Sequence, residues 1–89
     1  IKMIKPYKEK IQENISYRTF SQNILEHELV WHRDHNNRVV RVVEGVKWYL
    51  QFDNELPIEL EVGKEYHISK EHYHRIIKGL GNLILEIKE

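Results

Sequence analysis

No cysteine occurs in the 89 residues. Disulfide staples and thiolate metal sites are therefore excluded, and a reducing compartment agrees with the absence. Any metal must be held by histidine and carboxylate. Net charge is missing too: 14 Lys plus Arg balance 14 Asp plus Glu. The overall field thus gives no reason to expect binding to nucleic acid or to an acidic membrane. No apolar run approaches the roughly 20 residues that span a bilayer. The opening Ile1-Lys2-Met3-Ile4-Lys5-Pro6 lacks the apolar core of a signal peptide, so a cytoplasmic location is expected. Internal repeats, linkers and low-complexity tracts are absent as well.

What is present is an ordinary globular composition, 40% hydrophobic and 31% charged. Such a chain folds, and 89 residues suffice for one core only. A domain this short buries only about 60% of its unfolded surface, which favours pairing into a homodimer. Residues 1–14 are rich in Lys and Glu with irregular apolar spacing and read as an N-terminal arm or short helix. From Ile15 to Glu89 apolar groups alternate with turn signals, the mark of an all-β domain. Strands are expected at Ile15–Phe20, Ile24–His32, Arg38–Glu44, Lys47–Phe52, Leu56–Val62, a short segment ending at Ile68, Tyr73–Lys78 and Leu83–Lys88. Asp34–Asn37, Gly45, Asp53–Glu55, Ser69–Glu71 and Gly79–Asn82 supply the turns. About eight strands at this spacing predict a small β-barrel or jelly roll.

His32 and Asp34 stand two residues apart in an expected strand, so both side chains take one face. The turn at His35–Asn37 would return Arg38 beside them on the neighbouring strand. His74 must come from a distant strand. The run His32-Arg33-Asp34, three residues, Arg38, six residues, Gly45 keeps a recognisable spacing, as does Gly63, five residues, Ser69-Lys70-Glu71, two residues, His74. In these two runs the chain resembles the cupin superfamily. Its first motif continues from His-x-His through Glu to Gly, and its second runs Gly, Pro-x-Gly, His. Asp34 replaces the second His, Arg38 the Glu, Ser69 the Pro and Glu71 the Gly.

The resemblance implies a cupin barrel in which His32, Asp34 and His74 meet as ligands of a divalent metal. Two imidazoles and a carboxylate with open positions suit Fe(II), and also Mn, Ni or Zn. Arg38 cannot coordinate, and it places a fixed positive charge at a usual ligand position. The competing reading is an Arg38–Asp34 salt bridge in a metal-free pocket. His72, two residues before His74, is an additional candidate ligand or a solvated turn residue. His-x-Asp followed by a distant His is also similar to the triad of jumonji-type 2-oxoglutarate oxygenases, where Lys47 would correspond to a co-substrate anchor. Arg38 and Arg75 join Lys47 as candidate contacts to a small anionic ligand. His27, His35 and His67 have no carboxylate at chelating spacing, and Trp31, Trp48, Tyr49, Phe52 and Tyr66 read as core or interface aromatics. Three functions follow: a metal-dependent enzyme, a metal-free small-molecule binder, or a protein-interaction module.

Overall fold

A computed structural model describes residues 5–89. Eight strands occur among them: β1 Lys8–Gln12, β2 Ile15–Phe20, β3 Arg38–Val46, β4 Tyr49–Phe52, β5 Ile58–Glu59, β6 Glu65–Ile68, β7 His74–Ile77 and β8 Leu80–Lys88. They form one five-stranded sheet, β1-β2-β8-β3-β6, and one three-stranded sheet, β5-β4-β7. Every pairing is antiparallel. The inner faces meet in a core whose fully buried side chains are Trp48, Leu50, Leu60, Leu83 and Val42. Alternation along β8 places Leu83, Leu85 and Ile87 in that core. The intervening Glu86 is held on the other face by Tyr17 and Arg41.

The all-β class is as the alternation predicts, but several boundaries move. Lys8–Gln12, expected as arm or helix, is instead an edge strand in register with β2, from Lys8 opposite Thr19 to Gln12 opposite Ile15. Its five residues are all exposed. Backbone pairing alone defines it, and no apolar pattern announces it. Ile24–His32 is not a strand. A 3-10 turn at Glu26–Glu28 breaks it, and the Glu28 carboxylate accepts a hydrogen bond from the Leu25 backbone N–H at 3.0 Å. Between Leu56 and Val62 only Ile58–Glu59 pairs as a strand. Pro57 lacks a donor, and Leu56 and Val62 face outward.

The reversal expected at Gly45 lies further on. β3 continues to Val46 through two irregularities opposite β8, and Lys47 takes the left-handed conformation, φ 59°. Gly79 packs against that turn so closely that a Cβ there would lie 2.3 Å from the Val46 carbonyl oxygen. No side chain fits.

Candidate metal centre

The site begins with a backbone pairing. His32 and His74 exchange two hydrogen bonds, His32 N–H to His74 carbonyl at 2.9 Å and the reverse at 3.0 Å. Residues directly opposite in an antiparallel pair send their side chains to the same face. The imidazole centroids accordingly stand 4.4 Å apart. On the other side of β7, Phe52 is opposite His74, so Phe52, His74 and His32 share one face, with His32 at its exposed end.

Asp34 follows His32 at the spacing that returns a side chain to that face. Its loop is fastened to the turn before β7: the Glu71 N–H donates to the Asp34 carbonyl at 2.8 Å, and the Lys70 N–H to the Asn37 side chain at 2.8 Å. Ligand atoms from His32, Asp34 and His74 all lie within 4.8 Å of one another. His74 Nε2 is 3.3 Å from Asp34 Oδ2, and His32 Nε2 is 3.7 Å from Asp34 Oδ1.

Both rings are turned the same way. His74 Nδ1 contacts the His72 carbonyl at 2.7 Å, and His32 Nδ1 contacts the Val30 carbonyl at 3.0 Å. A carbonyl only accepts, so each Nδ1 carries the proton and each Nε2 offers its lone pair to the centre. Burial lowers the His74 pKa, against the pull of the His72 carbonyl, and His32 adds to the lowering. The neutral, ligating form is thereby favoured. Asp34 Oδ2 is buried without a hydrogen-bond partner among the described residues. An acceptor lone pair facing an orphaned carboxylate oxygen is costly unless a cation or proton lies between. The donor set therefore fits a divalent ion.

Arg38 completes the group. Its Nη1 donates to Asp34 Oδ1 at 3.0 Å and its Nε to Glu89 Oε2 at 3.2 Å. The guanidinium occupies Oδ1, the Asp34 oxygen nearer His32, and leaves Oδ2 facing His74 Nε2. The four residues border a cavity of about 590 Å³ whose walls include Leu50, Leu60, Leu85 and Ile87.

No protein-family model matches the sequence, and no characterised protein is significantly similar to it. Solved structures are similar in fold. A cupin-2 domain protein from Shewanella frigidimarina superimposes with a TM-score of 0.64 at 20% identity, covering 98% of this chain and 81% of that one. The fold is that of the cupins. An Fe(II) HppE complex with substrate gives a TM-score of 0.65 at 17% identity, over 98% of this chain and 54% of that one. A DMSP lyase gives 0.69 at 14% identity, over 82% and 35%. The chain thus spans about a third to a half of the length of the latter two proteins.

Cupin spacing explains two replaced positions. Glu71, where the motif has Gly, is left-handed at φ 63°, a conformation that Gly adopts without steric cost. Arg38, where the motif has Glu, reaches the centre as a salt-bridge donor to Asp34. The remaining expected site residues lie elsewhere. Lys47 is exposed in the β3–β4 turn and does not border the cavity. Arg75 follows His74 and therefore points to the opposite face, where it stacks 4.8 Å over Trp31 and donates to Gln51 at 2.9 Å. The His72 ring stacks on Phe52, 4.4 Å between centroids. Its carbonyl contacts His74 Nδ1, and its Nε2 lies 4.0 Å from Glu55. His27 and Arg18 border the cavity. Strand parity with Phe20 is the only sequence signal for Arg18.

Proposed function

We propose that this cupin domain binds one divalent metal ion through His32 Nε2, Asp34 Oδ2 and His74 Nε2, and takes a small anionic molecule into the adjoining cavity for reaction at the metal. The observation that carries the reading is the buried, unpartnered Asp34 Oδ2 beside two imidazoles whose Nδ1 protons are already engaged. The ion would supply Lewis-acid polarisation of a bound oxygen. The backbone carbonyls of Val30 and His72 hold the tautomers, and Arg38 orients the carboxylate. Three protein ligands with open positions fit Fe(II), Mn, Ni or Zn, and the Fe(II) in similarly folded HppE favours the first.

A second reading has its own observation. The Arg38–Asp34 ion pair, at 3.0 Å with both side chains largely buried, also serves a metal-free binder. Titrating untagged, metal-stripped protein with Fe(II), Mn, Ni and Zn distinguishes the two. One ion per chain, lost in His32→Ala plus His74→Ala, is expected; binding unaltered by the double substitution places the metal elsewhere. Chain length also supports a homodimer, which sedimentation would register as twice the chain mass and a monomer mass would refute.

A further inference from the structure

We infer that Arg18 is the anion-recognition residue of the cavity, so that the small molecule carries a carboxylate or phosphonate group apart from the atom it presents to the His-Asp-His centre. The inference rests on the proposed function for the metal end only. Arg18 shares the inner face of β2 with Phe20, opposite Leu85 of β8, and its side chain is 15% exposed. It hangs two strands from Arg38 in the order β2-β8-β3. It therefore addresses a different part of the wall.

The guanidinium is prepared but not saturated. Its plane sits 4.4 Å over the Tyr7 ring, and its Nε donates to Glu9 Oε2 at 2.9 Å. Glu9 is fixed in turn by Ser16 at 2.6 Å. Neither Nη has an acceptor among the described residues, whereas Arg38 commits one Nη to Asp34 and its Nε to Glu89. A guanidinium that borders a mostly apolar cavity, with its Nε held by Glu9 and its Nη groups free for a ligand, matches a planar carboxylate or a phosphonate face. Around the cavity Lys5, Arg18 and Arg38 oppose Glu28 and Asp34, with Glu9 and Glu89 pairing the arginines from the side. Three cations against four carboxylates leave one negative charge. A dication turns that to one positive, which a single ligand anion neutralises.

The test uses the full chain, with and without Zn(II), and calorimetric titration of succinate, methylphosphonate and the uncharged succinamide into wild type, Arg18→Gln and Arg18→Lys. Wild type should bind at least one anion tenfold or more tightly than succinamide; preference for succinate or methylphosphonate separates the two anion classes. Arg18→Gln should lose at least tenfold for the anion with Zn(II) affinity unchanged, and Arg18→Lys should recover part of it. Equal anion affinity in wild type and Arg18→Gln, or no anion binding to Zn(II)-loaded wild type at millimolar concentration, overturns the inference. Thermal unfolding identifies a misfolded variant, in which case Arg18→Lys against wild type decides, with unchanged affinity refuting. If Zn(II) does not bind at all, the metal proposal fails. Loss of anion binding in Arg18→Gln would then still support the role of Arg18, and its retention would still refute it.

Discussion

Replacing Asp34 by Asn separates a metal ligand from a structural ion-pair partner, because the two roles predict opposite changes in metal-free stability. Oδ2 is buried without a hydrogen-bond partner among the described residues, 3.3 Å from His74 Nε2. Removing such an orphaned acceptor recovers about 1–3 kcal/mol. An amide NH2 at that position donates to His74 Nε2, adding about 0.5–1.5 kcal/mol. Oδ1 still accepts from Arg38 but without charge, which forfeits about 1–1.5 kcal/mol, roughly half of a charge-assisted bond. Glu89 continues to hold the guanidinium. The sum is a metal-free Asp34→Asn protein that is unchanged or up to about 3.5 kcal/mol more stable, against a loss of about 3–5 kcal/mol if a buried ion pair is simply broken. Metal behaves oppositely: affinity should fall at least about a hundredfold, the upper range for losing even a partner of a ligand. Urea unfolding with chelator, repeated at a metal concentration near 100 times the wild-type Kd, reads both effects. Wild type should gain about 2.7 kcal/mol from the metal and the variant almost none. Destabilisation of the chelated variant by 3 kcal/mol or more, with no metal effect on wild type, would refute the reasoning.

Glu71→Gly should raise the melting temperature by about 2–8 °C, since relief of a left-handed non-glycine outweighs the lost exposed pair with His35; a decrease would mean that φ 63° is not strained. Arg38→Glu should strengthen divalent binding at least about tenfold, or 1.4 kcal/mol. It should also destabilise the metal-free protein, because the new carboxylate faces Asp34 and Glu89; weaker metal binding contradicts this. Because burial lowers the His74 pKa, the unfolded chain takes up the His74 proton first as pH falls. Metal-free stability should therefore decline below about pH 6.5, the ordinary histidine value. The slope should be shallower in His74→Gln, and identical slopes would show that His74 does not carry it.

How much of this was legible in the sequence varies with the physical origin of each element. Motif spacing brought His32, Asp34, Arg38 and His74 together correctly, because register in an antiparallel sheet converts fixed spacing into a shared face. The spacing survived the replacement of Gly by Glu71, whose backbone still takes the required left-handed φ. The segment Ile24–His32 misled because Ile24 and Leu29 are buried from a 3-10 turn rather than a strand, and its apolar content looks alike in either. Lys8–Gln12 was opaque for the opposite reason: an all-exposed strand has no burial pattern. Lys47 enters the candidate set through the oxygenase resemblance and Arg75 as a neighbour of His74. Turn geometry at the first and strand parity at the second send them outward. A lone arginine in a strand reads as a solvated residue until the opposite wall is known, so only its parity with Phe20 marks Arg18 in the sequence.

The most direct test of the central claim is anomalous diffraction from crystals of the chain soaked in Zn(II) or grown anaerobically with Fe(II). A peak is expected about 2.0–2.2 Å from His32 Nε2, His74 Nε2 and Asp34 Oδ2 together. A metal-replete crystal with no peak at those three atoms would contradict this.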